Sequence, residues 1–355
     1  MAYWHCTIRG TRRLAVTIRQ IAEATGVSRG TVDRVLHGRP GVKPEIAEQV
    51  RRAAAEMGFV PNKAGKILAA KKQPITIGFF LPGSGNPFFE DVVRGMRDAE
   101  QELKDFGVSV LLEEIEGFSP QDHIDGIHRL VEAGCTALCV AAIDTQEIRS
   151  YINQIVEQGI PVITVNTDLT DTNRLCYVGC DYNKGGSTAG GLLSMITNEP
   201  LHILIIMGSF KMKGHNERMQ GFLQKLDLKR VPYEVVGLFE SQDNDEISYT
   251  RTKAMLMQHK EVNCVYITAA GAYGACRAVQ EMEYEKRPFV IATDDVPGTR
   301  EMLRAGVVNF TICQEPYQQG YRPVHIMFDY FMADCKVRPA GFETFTVIKI
   351  PENLD

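Results

Sequence analysis

Hydrophobic positions follow two different patterns along this chain. In residues 16–36 they recur every three or four positions with a break at Gly26, which indicates two short amphipathic helices joined by a turn. Gly26 suits the turn because glycine accepts a positive φ angle, and Ser28 is placed to cap the second helix with its hydroxyl. A third helix is predicted over residues 45–57, with Pro44 near its first turn. The start of the chain should therefore form a small three-helix unit.

Beyond Pro74 the pattern changes to short, continuous apolar runs separated by helical stretches. The first run, PITIGFFLP, precedes a predicted helix over residues 88–103, and later runs include CTALCVAAI, PVITVNTD, LHILIIMGS and FVIATDDV. Such alternation is typical of parallel sheets covered by helices on both faces. The predicted fold class is therefore α/β, with two tandem blocks forming two open lobes. Ligands of open α/β sheets bind beyond the carboxyl ends of the strands, so two facing lobes would enclose a ligand between them.

The sequence contains no recognisable membrane or export signal. No stretch of about 18 apolar residues occurs, so no membrane span is predicted. Residues 1–15 lack the apolar core of a secretory signal peptide, and we expect a cytoplasmic protein. Two interpretations of these residues stay open, a flexible basic extension and the product of an upstream start codon.

Charge is divided unevenly along the chain. The net charge is −5, but residues 1–73 carry 14 Lys and Arg against 5 Asp and Glu, whereas the remainder carries 25 against 39. A basic head on an acidic body suits one end that binds a polyanion. The start of the second helix offers Arg29, Gly30, Thr31 and Arg34, residues that can reach base edges and phosphates in a DNA major groove. The alternatives are an ordinary helical hairpin and a basic tail with no binding role.

Motifs of enzymes and metal sites are missing from the sequence. There is no P-loop, HExxH, GxSxG or strand-associated GxGxxG motif, and the adjacent Asp294 and Asp295 would point to opposite sides of an extended chain. The nine cysteines contain no CxxC pair and no neighbouring histidine cluster, so we interpret them as reduced, mostly buried thiols. We expect no enzymatic activity, no cofactor and no metal ion.

The N-terminal region resembles the headpiece of the lac repressor/galactose repressor family, on the residues VSRGTVDRVLHGRPGVKPEIAEQVRRAAAEMGFVPNKAGKILA. The resemblance implies a helix-turn-helix headpiece over residues 16–61 and a hinge helix over residues 62–73 that folds on operator DNA. It also implies that Leu68 wedges into the minor groove, although simple packing in a linker is the alternative. The chain departs from the family at Asp33, where serine is usual, and at residues 65–67, where Ala-Arg-Ser is common. The predicted DNA-contacting residues are Thr17, Ser28, Arg29, Gly30, Thr31, Arg34, His37, Asn62, Lys66 and Leu68.

The body of the chain, residues 74–355, resembles the same family and the sugar-binding proteins of bacterial transport that share its fold. The resemblance implies a ligand-binding and dimerisation domain of the type I periplasmic-binding-protein fold, whose chain crosses between the lobes three times. We expect crossings near residues 178–181, 309–314 and 333–337. The first lobe is then predicted to hold residues 75–179 and 312–334, and the second lobe residues 180–311 and 335–355.

Polar residues at the strand ends are the candidate ligand contacts. By resemblance, the Asn of NPFF bonds a hydroxyl and its Phe stacks on a sugar ring, whereas the alternative is helix capping by Asn86 above core phenylalanines. Asn166-Thr167 stands where sugar-binding relatives often carry Asp-Arg, so the ligand is expected to differ from a simple pentose or hexose. Arg218 matches the family's effector arginine and leaves a sugar acid or phosphate open. The predicted ligand residues are Asn86, Phe88, Phe89, Asp144, Asn166, Thr167, Asn216, Arg218, Thr268, Asp294 and Gln314.

Together these features predict a sequence-specific DNA-binding transcriptional regulator, a repressor, controlled by a sugar-like or polyol effector bound between the lobes. One headpiece buries too little surface for strong specificity, so we expect a homodimer on a pseudo-palindromic operator of double-stranded DNA, with no membrane partner. Whether the effector releases or promotes DNA binding is left open. The alternative function is a cytoplasmic sugar-binding protein that does not act on DNA.

Overall fold

The structure is a computed structural model that describes residues 16–36, 41–57, 74–83, 85–333 and 338–354. Four groups of predictions lie outside these residues: the N-terminal extension 1–15, the hinge 62–73, His37, and the residues Asn62, Lys66 and Leu68. The chain divides into two compact units, which are described separately: residues 1–72 with 331–337, and residues 73–330 with 338–355.

The headpiece contains the three predicted helices. They are α1 (Ile18–Thr25), α2 (Arg29–Leu36) and α3 (Pro44–Glu56). Their apolar faces meet in a small core in which Ile21, Val32 and Val50 are fully buried. One residue from each helix therefore holds the unit together, which is why the three helices can be short.

Capping residues set the ends of the first two helices. The Thr17 hydroxyl and the Gln20 side chain form a capping box at the start of α1, and Gly26 ends that helix with a φ angle of 69°. The Ser28 hydroxyl accepts a hydrogen bond from the backbone N–H of Thr31 at 3.1 Å. The predicted cap at Ser28 and the predicted positive φ at Gly26 are both confirmed.

A parallel sheet with helices on both faces forms the first lobe, as predicted. Its strand order is β2-β1-β3-β4-β5-β11. Its elements are β1 (Ile75–Pro82), α4 (Phe88–Leu103), β2 (Val108–Ile115), α5 (Pro120–Glu132), β3 (Ala137–Val140), α6 (Gln146–Glu157), β4 (Val162–Val165) and β5 (Cys176–Gly179).

The second lobe repeats this arrangement with the order β7-β6-β8-β9-β10, followed by a sixth strand from the end of the chain that runs antiparallel to β10. Its elements are α7 (Tyr182–Ile196), β6 (Leu201–Met207), α8 (Lys213–Lys229), β7 (Tyr233–Glu240), α9 (Asp245–Gln258), β8 (Cys264–Ile267), α10 (Ala272–Gln280), β9 (Phe289–Thr293), α11 (Pro297–Arg304) and β10 (Phe310–Cys313). The inner strands are buried on both faces, which explains their continuous apolar sequence.

The last part of the chain completes both sheets. It contains α12 (Pro316–Met332), β11 (Phe342–Glu343) and β12 (Val347–Lys349). Two of the predicted crossings agree with this topology, one after β5 and one after β10. The third prediction is wrong, because β11 pairs with β5 of the first sheet, so that residues 338–343 belong to the first lobe and the chain crosses only before β12. A strand of two residues is held by its edge pairing and leaves no periodic signal in the sequence.

Two further sequence predictions concern membranes and thiols. Among the described residues, no helix combines the length and apolar character that a bilayer crossing needs. Seven cysteines fall within the described ranges, and each is a buried, free thiol. Burial raises the pKa of these thiols, for example to about 12 at Cys264, so they behave as small apolar side chains in the cores of the lobes.

Candidate ligand cleft and candidate nucleic-acid interface

A cavity of about 350 Å³ lies between the two lobes, at the carboxyl ends of their strands. This volume is within the range of small-molecule binding sites. Eight of the predicted ligand residues line it: Asn86, Phe88, Phe89, Asn166, Thr167, Arg218, Asp294 and Gln314. Both lobes contribute, so a molecule in the cavity would touch both at once.

The first lobe supplies an aromatic wall. Phe88 and Phe89 begin α4, and their rings meet edge to face with centroids 5.2 Å apart. The Asn86 side-chain oxygen accepts a hydrogen bond from the backbone N–H of Phe88 at 3.0 Å. Asn86 therefore caps the turn into the helix while it also lines the cavity, which leaves its amide N–H group as the part available to a ligand.

Arg218 is the central cation of the second-lobe wall. Its Nη1 donates to the carbonyl oxygen of Thr268 at 2.6 Å, and its guanidinium lies 4.5 Å from the centroid of the Tyr182 ring. Its Nη2 is 4.0 Å from Oδ2 of Asp294. The side chain is buried and held on three sides, so it presents its remaining N–H donors in a fixed direction.

Glycines bring the helix that carries Arg218 close to its neighbour. A Cβ atom added to Gly186 of α7 would collide with the backbone oxygen of Arg218, and one added to Gly221 of α8 would collide with the backbone of Asn183. Larger residues would therefore push α7 and α8 apart. The glycine-rich stretch of α7 thus allows α8 to pack closely against it, which fixes the position of Arg218.

Asp294 is held beside Arg218 in an unusual backbone conformation. Its φ angle is 62°, which non-glycine residues rarely adopt. Its Oδ2 accepts a hydrogen bond from Nε2 of Gln314 at 3.1 Å, whereas its buried Oδ1 has no partner among the described residues. Burial raises the pKa of Asp294 to about 6, opposed by the charge of Arg218. A positive φ at a cavity-lining carboxylate is the kind of strain that functional sites retain.

Hydrogen bonds link the two lobes behind the cavity. The Asn166 amide donates to Oε1 of Gln319 at 3.0 Å, and Gln319 Nε2 donates to Oε1 of Gln314 at 3.1 Å. Gln314 in turn bonds Asp294, and the hydroxyl of Tyr182 returns to the carbonyl oxygen of Asn166 at 2.6 Å. These side chains form a buried polar relay that contains residues of both lobes.

Three predicted ligand residues do not line the cavity. Asp144 pairs with Arg149 at 3.4 Å and lies directly before Thr145, which is the N-cap of α6. The Asn216 amide donates to the carbonyl oxygen of Phe210 at 2.7 Å. Thr268 is fully buried and contributes only the carbonyl oxygen that holds Arg218.

The cavity also contains polar and aromatic residues that sequence reasoning missed, notably Tyr182, His215, Asp243 and Tyr273. Burial lowers the pKa of His215 to about 3, so this ring is neutral. Burial raises the pKa of Asp243 to about 6, and its buried Oδ1 has no partner among the described residues. Asp243 follows the end of β7, so a search of every strand end would have found it, whereas His215 and Tyr182 lie on helices without such a signal.

A loop of the second lobe closes against the first lobe at the mouth of the cleft. The Met212 side chain is only 5% exposed and packs in the core of the first lobe with residues such as Ile143 and Ile148. The backbone N–H of Asp144 donates to the carbonyl oxygen of Lys211 at 3.1 Å. We call residues 210–212 the closing loop, because they bridge the two lobes beside the cavity.

The headpiece presents the start of α2 on its surface. Ser28, Arg29, Gly30 and Arg34 are exposed and Thr31 is half-buried, while the apolar residues of the helix face the core. Thr17 is exposed as well, and its hydroxyl is used in the capping box of α1. Two arginines on the open face of a helix can approach a phosphate backbone or a groove.

The fold and the cleft define a class of protein: a helix-turn-helix unit joined to a two-lobed, ligand-binding α/β body. Residues 77–333 match the periplasmic binding protein domain family, and residues 17–62 match the bacterial regulatory proteins of the lacI family. The body of the chain therefore belongs to the periplasmic binding protein domain family, and its headpiece is a domain of the lacI-family type.

Curated relatives with similar sequences are regulators of transcription. A probable HTH-type transcriptional repressor, ExuR, of Bacillus subtilis is 28% identical over 64% of this chain and 66% of the relative. The ribose operon repressor of Lactococcus lactis is 25% identical over 88% of this chain and 90% of the relative. Catabolite control protein A of Priestia megaterium is 22% identical over 75% of this chain and 78% of the relative.

Solved structures support the fold of the body. GanP, a glucose-galactose binding protein from Geobacillus stearothermophilus, is 26% identical, with a TM-score of 0.71 over 79% of this chain and 99% of that chain. A solute binding protein of an ABC transporter from Burkholderia graminis, solved with D-arabinose, has a TM-score of 0.73 at 19% identity, over 79% and 96%. The latter likeness concerns the fold alone.

Proposed function

We propose that this protein is a transcriptional repressor that binds operator DNA through its headpiece and senses a small hydroxyl-rich effector in the cleft between its lobes. The observation that carries this proposal is the cleft itself, in which an arginine, a strained carboxylate and two phenylalanines face one cavity. Repressors among the relatives support the DNA-binding half, and sugar-binding proteins with the same fold support the effector half. A protein that acts on the chromosome would work in the cytoplasm.

The DNA-binding half of the proposal depends on α2. Arg29 and Arg34 would contact phosphates or base edges, and Ser28 and Thr31 lie on the same turn. Thr17 would contribute from the start of α1. Neutralising phosphates releases counterions, so operator affinity should fall steeply with salt concentration.

A homodimer is the proposed binding form, because one small headpiece contacts too little DNA. The outer strand of the second sheet, β7, pairs on one side only within the described part of the chain, and it carries the exposed side chains of Val235 and Leu238. The outer strand of the first sheet, β2, likewise carries the exposed Leu111. Apolar edge strands invite pairing, and a twofold dimer would cover them while matching a pseudo-palindromic operator.

Effector and DNA binding are coupled reciprocally in this proposal. An effector that bridges both walls of the cleft would favour one arrangement of the lobes, and the operator would favour the same arrangement or another. Thermodynamic linkage then requires that DNA changes effector affinity by the same factor. The measurement below decides whether the effector releases the operator or tightens the complex.

A gel shift with DNA from the protein's own upstream region tests the first half. We expect Arg29→Ala and Arg34→Ala to weaken binding and to reduce the salt slope by about one unit each. Arg304→Ala is the matched control, since Arg304 is an exposed arginine of the second lobe. Equal affinities and slopes for all three variants and the parent would contradict the proposal, and persistent non-binding at low salt would favour a sugar-binding protein that does not act on DNA.

A thermal-shift screen tests the second half, because a ligand that binds only the folded state raises the melting temperature. A compound that raises the melting temperature is then added to the gel shift, to measure whether it weakens or strengthens operator binding. Arg218→Leu should abolish the shift in melting temperature, since its guanidinium lines the cavity. A hit that stabilises the Arg218→Leu variant as much as the parent would place the ligand elsewhere.

A further inference from the structure

The charges that line the cleft are strongly unequal. Among the described residues of the lining, one guanidinium faces four carboxyl groups: Arg218 against Glu116, Asp243, Asp245 and Asp294. The only other basic side chain there is His215, which is uncharged at neutral pH because burial lowers its pKa to about 3. An anionic ligand would therefore enter a cavity whose net charge is already negative.

Arg218, the one cation among the described residues of the lining, is already engaged. Arg218 donates to the Thr268 carbonyl oxygen at 2.6 Å, stacks over Tyr182 and lies 4.0 Å from Asp294 Oδ2. A carboxylate or phosphate on the ligand would have to compete with Asp294 for this guanidinium. The negatively charged oxygens of such a ligand would also lie close to the Asp294 carboxylate, and the two negative charges would repel each other.

The cleft instead has unused acceptors. Oδ1 of Asp243 and Oδ1 of Asp294 are buried without a hydrogen-bond partner among the described residues. Oγ1 of Thr167, a residue only 1% exposed, lines the same cavity and is also without a partner. An ionised carboxylate can only accept hydrogen bonds, so the ligand must bring donors to Asp243 and Asp294.

Four aromatic side chains line the same cavity as these acceptors. Phe88, Phe89, Tyr182 and Tyr273 all line the cavity. The C–H face of a sugar ring packs on such residues, and a positive charge is attracted to the same ring faces. A ligand with hydroxyl donors, a protonated amine and an apolar ring face would therefore match the acceptors and the aromatic side chains of the lining.

Resting on the proposed function, we propose that the effector is a polyhydroxylated amine, of the amino-sugar or amino-polyol class, whose ammonium group is bound by one of the two cleft carboxylates with an unpartnered oxygen, Asp243 or Asp294. Sugar acids and sugar phosphates are excluded by the same carboxylates. An ammonium donor adds its positive charge to the hydrogen bond that a hydroxyl would make to the same carboxylate, so the amine should bind more tightly than the hydroxyl compound.

The test is a set of matched series in which one position of the same sugar carries an amine, a hydroxyl or an acid. Suitable series are 6-amino-6-deoxyhexose, hexose and hexuronate in the gluco, galacto and manno configurations, together with 2-amino-2-deoxyhexoses and hexose 6-phosphates. Thermal shift on the full-length chain ranks the ligands, and titration calorimetry measures the best series. We expect the amine member to bind about tenfold or more tightly than its neutral parent, and the acid and phosphate members to bind least.

Two variants assign the preference to the cleft. Asp243→Asn and Asp294→Asn keep the size of each side chain and remove its charge. The variant of the carboxylate that binds the ammonium should reduce the ratio of amine affinity to neutral-parent affinity by about tenfold. The neutral parent loses the same carboxylate acceptor, so its binding should also fall, but by a smaller factor than binding of the amine. Asp105→Asn, at an exposed carboxyl group of the first lobe, is the control and should leave the amine's advantage intact.

Several outcomes overturn the proposal. The proposal is wrong if the acid, phosphate or neutral member of a series binds more tightly than the amine. It is also wrong if no amine raises the melting temperature. An amine preference that survives both Asn variants would place the ammonium elsewhere. Failure of the proposed function is distinguishable, because it appears as lost operator binding in the gel shift, whereas failure here leaves operator binding intact.

Discussion

Met212 offers the sharpest test of how the cleft closes. Its side chain belongs to the second lobe but is buried in the core of the first lobe, so separating the lobes exposes it to water. Burying a methionine side chain stabilises by about 1.5–3 kcal/mol. Met212→Ala should therefore weaken the closed arrangement by about 2 kcal/mol, which is a factor of about 30 in the ratio of closed to open protein.

Amide hydrogen exchange measures this ratio without any ligand. The Asp144 N–H is protected by the carbonyl oxygen of Lys211 only while the closing loop touches the first lobe. When opening is fast and reversible, its exchange rate follows the open fraction. We expect exchange at Asp144 to rise about 30-fold in Met212→Ala, while amides inside β3, such as that of Cys139, keep their protection.

Two further variants control the experiment. Met195→Ala removes the same atoms from a side chain that is 72% exposed, and it should leave exchange at Asp144 unchanged. Met212→Leu keeps an apolar side chain of similar size and should restore most of the protection. If Met212→Ala and Met195→Ala gave the same exchange at Asp144, the closing loop would contribute nothing to closure and this reasoning would be refuted.

Three other predictions concern stability and polar contacts. Gly186→Ala should lower the free energy of unfolding by about 1–3 kcal/mol, because the new methyl group collides with the α8 backbone. Gly191→Ala is the control, since its new methyl group meets only a side-chain carbon at 3.9 Å and should be neutral or stabilising. Thermal melts of the two variants measure the difference. Asp294 has its pKa raised from 3.8 to about 6, so the folded state holds a proton that the unfolded chain has lost, and this group's contribution to stability declines as pH rises from about 4 to about 6. Asp294→Asn should remove that decline, which amounts to about 3 kcal/mol at most, and melting the parent and the variant at pH 4.5 and 7.5 detects it; parallel pH dependence in both would contradict the assignment. Gln319→Leu should cost about 1–3 kcal/mol in denaturant melts, because it leaves the buried Asn166 and Gln314 side chains without their shared partner, and an unchanged midpoint would show that the relay is not stabilising.

Much of the fold could be predicted because its signals are local. The run of apolar residues in each inner strand reflects burial on both faces, and the predicted helix over residues 88–103 begins and ends where α4 does. The cap at Ser28 and the turn at Gly26 depend only on neighbours in sequence. The strand β11 could not be predicted, because its two residues are held by the free edge of β5, more than 150 residues earlier in the chain.

The candidate site was predictable only in part. Each parallel sheet brings the carboxyl ends of its strands to one edge, which is why Asn166 of the first lobe and Asp294 of the second lobe were found. Asp144 follows the same rule but lies outside the cavity, where its side chain pairs with Arg149 and its backbone N–H donates to Lys211 of the closing loop. Tyr182 was missed since its ring enters the site from a helix, where it stacks under Arg218.

The sequence by itself determined the helical headpiece, the two α/β blocks and the basic head on an acidic body, since spacing and composition specify each of these locally. Only the tertiary structure decided which polar groups share the cleft, which of them lack partners, and how Met212 joins the lobes. These outcomes depend on backbone geometry such as the positive φ of Asp294 and on contacts between distant segments. Distant contacts form only when the whole chain packs, so no stretch of sequence contains them alone.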